Sequence, residues 1–355
     1  MANPPTFFKA ISCPGPKQPW QTITVPLRAP KSTEVLVRVH ASGICYGDHL
    51  VHDGTLPGIA YPRTPGHEVV GRVAAVGTAL NALGPSARFR IGSLVGVGWY
   101  GGHCATCDAC RRGDFGGCAS QVITGATFDG GHAEYLYVSE SAIVGIPEEC
   151  LEQASYAELA PLLCAGATVY EALRTTPFSP GDLCLVQGIG GLGHLAIQYA
   201  VRLGLKVYAV SSGPTKAALA MSLGAHGYID ASAHGPSVIE RVQAMGGAKV
   251  ILCTTPSAEQ TSALIPAVAR DGVVTLVGVA MDGDVRINNG LMVMRRAMLR
   301  GWGCGTARET ESCVQFSMLT DVKSMVQEFG FEDFVRAYDD TMHGKPQFRN
   351  VIVFP

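Results

Sequence analysis

No stretch of this sequence approaches the roughly 20 consecutive apolar residues of a membrane-spanning helix. No sign of charge predominates either: 27 lysines and arginines face 29 aspartates and glutamates, a formal net charge of -2. The first absence argues against a membrane partner, and the second removes the basic field that nucleic-acid binding needs. Charged residues are scarce at 16% and aromatic ones at 7%, while hydrophobic residues reach 47%. That balance supplies sizeable cores and excludes a disordered chain. Internal repeats and low-complexity tracts are missing. MANPPTFFKAISCPG at the start lacks the charged and apolar regions of a secretory signal, and NVIVFP at the end carries no lipidation motif. A soluble, cytoplasmic protein is expected.

Cysteine and glycine, by contrast, are plentiful: 12 and 43 among 355 residues. The length suggests two domains. In a reducing compartment, clustered cysteines point to metal or catalysis rather than disulfides. HCATCDACRRGDFGGC sets Cys104, Cys107, Cys110 and Cys118 in one polar loop. Four such thiolates can close a tetrahedral shell on Zn²⁺, and a shell with no open position is structural. An iron–sulfur cluster takes the same number of thiolates. Cys13, Cys150, Cys184, Cys253, Cys304 and Cys313 stand alone and read as packed thiols.

From residue 34, the valine-rich runs EVLVRVHASG, VVGRVAAVG and SLVGVGWYGG, bounded by glycine, predict β structure filling the first ~150 residues. PEECLEQASYAELAPLLCAGATVYEALRT switches to helical spacing. From Leu183, strand-like and helix-like runs alternate, which predicts a parallel sheet with crossover helices. FRNVIVFP reads as a final strand.

Within the alternating half, LCLVQGIGGLGHLAIQYA leads a β run into Gly188, Gly190, Gly191 and Gly193 and then into an amphipathic helix. Glycines there permit the turn, the approach of a pyrophosphate and close strand–helix packing. The phosphates would rest on the helix N-terminus. The next strand ends VYAVSSGPTK, without the Asp or Glu that binds a ribose 2′-hydroxyl in NAD-preferring sites. Ser211, Ser212 and Lys216 suit a 2′-phosphate instead, so NADP(H) is the expected cofactor. Cys45, His67 with Glu68, and Cys164 are dispersed. A catalytic zinc needs only three protein ligands, and Cys₂His is a known set, but spacing does not establish that these residues meet.

GHE, the four-cysteine lobe, PLLCAG, GIGGLGH and the final FR, in that order from about Glu34 to Arg349, together resemble the zinc-containing medium-chain alcohol dehydrogenases. The likeness is to the branch of cinnamyl alcohol dehydrogenases and related NADP-dependent aldehyde reductases. It implies a GroES-like catalytic domain over 1–153 and 293–355, with the structural zinc lobe at about 101–119. A Rossmann domain with a doubly wound parallel sheet would occupy 154–292, and the active site would lie between them. It implies that Cys45, His67 and Cys164 converge on catalytic zinc, making two zincs per chain. Glu68 would stand close behind and Asp48 would orient the ligand histidine. Thr168 is implied near the nicotinamide and Arg349 on the cofactor phosphates, while Leu192, Thr254 and Val277 join the cofactor-binding set. The implied substrate is a small aldehyde, ketone or alcohol, and the implied assembly is a homodimer or homotetramer.

One departure stands out. The resembling family usually reads Cys-His-Ser/Thr-Asp where this chain reads Cys45-Tyr46-Gly47-Asp48, so the hydroxyl that starts its proton relay is missing. Leu50 holds the position where the relay often ends in histidine, and His49 sits one place earlier. Water filling the space at Gly47, with His49 or His52 downstream, would replace the relay. A conjugate C=C or iminium reduction would need no such proton, and a non-catalytic zinc and nucleotide-binding protein would need no relay at all. A quinone-reductase-like or enoyl-reductase-like enzyme is disfavoured by the two zinc ligand sets. Trp99, Tyr100, Trp302 and Met294 are candidates for an apolar substrate wall.

Overall fold

A computed structural model describes residues 5–344 and 348–355. The chain divides into two compact units. One comprises the residues up to Ala167 with Cys304–Leu319 and Lys323–Pro355; the other comprises Thr168–Gly303 with Thr320–Val322.

The first unit is built on a mainly antiparallel sheet. Its strands run Val326–Gly330, Arg349–Val353, Glu34–Gly43, Val69–Val76, Leu94–Val97 and Ile143–Gly145, with Tyr135–Ser139 also paired to Glu34–Gly43. The valine-rich runs thus become strands, because β-branched side chains pack well on a pleated surface. Val35, Val37, Val39, Val69, Val95 and Leu136 form the core with Phe334 from the helix Phe334–Met342. A short hairpin of Tyr100–Gly102 and Val122–Ile123 closes the base of the four-cysteine loop.

Six parallel strands form the sheet of the second unit, in the order Gly227–Asp230, Lys206–Ser211, Leu183–Gln187, Ala248–Cys253, Val268–Leu276, Met298–Gly301. By appearance in the chain that is 3-2-1-4-5-6, the doubly wound order of dinucleotide-binding domains. Leu183–Gln187 is buried throughout, as expected of a central strand covered on both faces. No described helix is long and apolar enough to cross a membrane.

Candidate metal centres and nucleotide loop

Sheet pairing brings the dispersed residues together. Ser42 pairs with Val69, and the Gly43 N–H donates to the Glu68 carbonyl at 2.9 Å. The chain entering the Val69–Val76 strand therefore lies beside the chain leaving Glu34–Gly43. Only glycine fits at 43: a Cβ there would lie 2.2 Å from Glu68 Oε2. Cys45 then precedes the helix Tyr46–Asp53, which Gly54 ends at φ 71. A thiolate at a helix N-terminus is favoured by the exposed N–H groups and the dipole. Cys164 follows the turn Ala160–Leu163, and its Sγ comes to 3.9 Å from that of Cys45. Ligand atoms of Cys45, His67, Glu68 and Cys164 all lie within 4.8 Å of one another.

Behind this cluster stands Asp48, which is fully buried. It accepts from the Cys45 N–H at 2.8 Å and the Gly66 N–H at 3.0 Å. His67 Nδ1 faces it at 3.4 Å and His132 Nε2 at 3.2 Å. A carboxylate can only accept, so both rings turn an N–H toward it. His132 is then free at Nδ1 to accept from the Ser42 hydroxyl at 2.9 Å, and His67 presents the Nε2 lone pair. Burial alone would raise the Asp48 carboxyl, but electrostatic attraction to the facing imidazoles of His132 and His67 and their hydrogen bonds outweigh it and hold it well below the usual carboxylate range.

Two polar atoms in the cluster are buried without a hydrogen-bond partner, His67 Nε2 and Glu68 Oε2. Each such orphan costs about 1–3 kcal/mol, so a lone pair and a carboxylate oxygen left bare beside two thiols fit a cation. A hydrogen bond from the Cys164 thiol is the largest influence on Cys45 and brings it well below the ordinary thiol range, with burial opposing and His67 and Arg349 assisting. Cys164 is driven the other way by its contacts with Cys304 and Cys45. Burial pushes Glu68 up to about 8 despite the Arg349 guanidinium that donates to its Oε1. Here Arg349, the residue expected on cofactor phosphates, is buried against Glu68.

Trp99 packs edge-on against His67, with centroids 4.8 Å apart and planes at 87°. The two rings close the space beside Gly47: a Cβ at that position would stand 2.6 Å from His67 Cε1 and 2.8 Å from Trp99 Cζ3. Any side chain at residue 47 would therefore have to displace one of the two rings. His49 and His52 belong to a different group, with Asp53. Among the wall candidates, Tyr100 is buried with its hydroxyl on His103 Nδ1, Trp302 has a buried indole N–H without a partner, and Met294 is 75% exposed.

In the polar loop, Cys104, Cys107, Cys110 and Cys118 gather within 4.8 Å. Their Sγ separations are 4.0 Å for 104–110, 4.0 Å for 107–118 and 3.6 Å for 118–104. A tetrahedron of Zn–S bonds of about 2.3 Å has edges of about 3.8 Å, so the spacing suits one ion; a cluster of several irons would hold the sulfurs further apart. Backbone N–H groups of Cys104, Cys107 and Ser120 donate to the sulfurs. The hydroxyl and backbone of Thr106 bring Cys104 down to about 5.

In the second unit, Gly188 turns at φ 85, and a Cβ at Gly193 would sit 2.0 Å from the Gly188 carbonyl oxygen, which makes glycine obligatory at the start of the helix Gly193–Arg202. A Cβ at Gly190 would meet nothing within 4 Å, leaving its backbone open to a ligand. Leu192 precedes that helix. Thr254 Oγ1 donates to the Gln187 carbonyl at 2.6 Å, Val277 N–H donates to the Cys253 carbonyl at 3.1 Å, and Thr168 is buried. Ser212 and Lys216 are exposed and Ser211 half-buried. Ser211 pairs with Asp230 on the next strand, a neighbour that sequence reading missed. Asp230 Oδ1 accepts from the Gly213 N–H at 2.8 Å and the Ser232 hydroxyl at 2.7 Å.

Comparison with known proteins follows this division. Residues 31–148 match the model of the alcohol dehydrogenase GroES-like domain, and residues 191–318 match that of the zinc-binding dehydrogenases. Alcohol dehydrogenase patD of Penicillium expansum is 37% identical over 328 residues, covering 92% of each chain. Alcohol dehydrogenase notN of an Aspergillus species is 36% identical over 355 residues, 99% of each. Among solved structures, a cinnamyl alcohol dehydrogenase from Sorghum bicolor superposes with a TM-score of 0.85 at 26% identity, covering 98% of this chain and 97% of that one.

Proposed function

Because this chain belongs to the zinc-dependent medium-chain alcohol dehydrogenases, we propose that it reduces aldehydes with NADPH, through Cys45, His67 and Cys164 at a catalytic zinc and with a second zinc held by Cys104, Cys107, Cys110 and Cys118. The observation that carries the site reading is the bare, buried Nε2 of His67 between two thiols. When bound, the zinc supplies Lewis-acid polarisation of a carbonyl or alcohol oxygen and the nicotinamide supplies or accepts the hydride.

The chain's own residues do the positioning. Asp48 fixes the His67 tautomer and, through the Cys45 N–H, the start of the helix that carries Cys45. Glu68, with Arg349 against it, is a carboxyl group held beside the ligands. Trp99 closes one wall. With no hydroxyl at Gly47, the substrate proton exchanges with water rather than with a side chain at that position. Conjugate reduction, which needs no proton at that oxygen, is the second reading, favoured by the missing hydroxyl at Gly47.

For the cofactor, Ser211, Ser212 and Lys216 support NADP(H), and the hydrogen bonds to Asp230 Oδ1 moderate the carboxylate beside them. Apolar residues exposed around the edge strand Met298–Gly301, including Val293 at 73% and Met294 at 75%, support a homodimer, since an open sheet edge with an apolar surround invites pairing. The test is to purify the protein with its metal, count zinc, and follow NADPH and NADH against benzylic, cinnamyl and aliphatic aldehydes with product identification. Two zincs per chain and an alcohol product are expected; a saturated carbonyl product would establish the second reading. Lys216→Ala should raise the KM for NADPH about tenfold, the loss of one charge-assisted contact, and leave that for NADH unchanged. Equal effects on both would remove Lys216 from 2′-phosphate recognition.

A further inference from the structure

The helix Tyr46–Asp53 carries a second chemistry-bearing group on its half-exposed side. His49, His52 and Asp53 stand at i, i+3 and i+4, so they share one helix face, and ligand atoms of all three lie within 4.8 Å of one another. His52 Nε2 lies 3.0 Å from the Gln18 carbonyl oxygen. A carbonyl can only accept, so Nε2 carries the proton and the neutral ring has its lone pair at Nδ1. That lone pair faces Asp53 Oδ1 at 3.7 Å. At His49, Nδ1 pairs with the Tyr338 hydroxyl at 2.9 Å, a group that can donate or accept, and Nε2 faces Asp53 Oδ2 at 3.7 Å. The His52 ring is held against Trp20, with centroids 4.6 Å apart.

Two imidazole nitrogens aimed at one carboxylate, with their other nitrogens tied to protein oxygens, is the arrangement that orients metal-ligating histidines. The His52 lone pair and the carboxylate repel unless a cation lies between them. We propose that His49, His52 and Asp53 form a third, separate site for a borderline divalent cation of the zinc, cobalt, nickel and copper class. Three ligands around a tetrahedral ion at about 2.1 Å stand about 3.4 Å apart; each imidazole already lies 3.7 Å from one Asp53 oxygen, and the ligand atoms, all within 4.8 Å, would draw together by side-chain rotation. With side-chain exposures of 30%, 18% and 26%, the site keeps an open side for water. It has no thiolate, so it binds more weakly than the cysteine sites. The neighbouring cation, Lys17 Nζ at 3.8 Å from Asp53 Oδ2, is on a 70% exposed side chain and yields readily.

The experiment is calorimetric titration of the dialysed holoprotein with ZnCl₂ and, separately, NiCl₂, with MgCl₂ as the hard-cation control. One further equivalent of Zn²⁺ and of Ni²⁺, and none of Mg²⁺, is expected beyond the metal retained through dialysis. His52→Phe, which keeps a ring against Trp20, and Asp53→Asn should each weaken that equivalent at least about tenfold. Retained zinc and melting temperature report whether either variant is misfolded. In Cu²⁺-loaded wild type, electron paramagnetic resonance should show coupling to two imidazole nitrogens, falling to one in His52→Phe. No extra equivalent, or one that survives both substitutions unchanged, overturns the site.

Discussion

Gly47→Ser should cut turnover by about 100-fold and loosen zinc, although it introduces the hydroxyl that this chain lacks for proton transfer. The reason is steric. The new Cβ would stand 2.6 Å from His67 Cε1 and 2.8 Å from Trp99 Cζ3, inside any normal contact distance. Of the two rings, His67 is anchored at Nδ1 by Asp48, so relief comes by swinging its Nε2 off the ligand direction. Displacement of a reacting group by about 1 Å costs on the order of 10² in rate. The serine would thus supply a proton route worth 10²–10⁴-fold to a site whose metal ligand it has moved. Trp99→Ala opens the space from the other side. Serine should then cost much less in that background, a coupling that a double-mutant cycle measures as a departure from additivity. A rise in kcat for Gly47→Ser alone, with zinc retained, would show that the wall yields and that proton delivery limits the native enzyme.

That prediction rests on residues with very different visibility in the sequence. The four-cysteine lobe is legible because all four thiols fall in one loop and gather within 4.8 Å, a closeness that sequence spacing alone encodes. The nucleotide unit is legible because strand and helix periods alternate around the glycines, and Leu183–Gln187, Gly193–Arg202 and Lys206–Ser211 follow that alternation. Gly227–Asp230 gives no such signal, because a four-residue strand carries too little pattern, and Asp230 is hidden with it. Cys45 and Cys164 are separated by 119 residues, and only antiparallel pairing and the turn before Cys164 bring them together, so family resemblance had to supply that set. Three contributors gave no local signal. Gly43 is required by strand register against Glu68, His132 acts from 84 residues beyond Asp48, and Trp99 matters through the space it takes from residue 47. Cys304, read as a packed thiol, is in contact with Cys164. In each case the constraint is a tertiary distance, and one sequence contains no distances.

His132 and the two backbone donors make Asp48 the second place where a small change should act strongly. Asp48→Asn preserves shape and removes charge and one acceptor. The carboxylate takes N–H groups from Cys45, Gly66, His132 and His67, all of them donors. An asparagine oxygen can serve one side of that set, while its NH₂ must then point at N–H groups on the other, leaving buried donors opposed at about 1–3 kcal/mol each. Without its acceptor, His67 loses the bond that keeps the proton on Nδ1, and the tautomer that offers Nε2 to a metal is no longer selected. Affinity at the Cys45–His67–Cys164 site should fall 10- to 100-fold, with kcat/KM following it, whereas the four-cysteine site should hold its ion unchanged. Challenge with a chromogenic chelator reads the two pools by rate: one fast and one slow phase in the variant, against a slower first phase in the wild type. Asp48→Glu should not rescue, because an added methylene in a fully buried position pushes the carboxylate into His67 or His132. If both phases match the wild type in Asp48→Asn, the aspartate is a helix cap and no more, and the His67 tautomer is set by the metal itself.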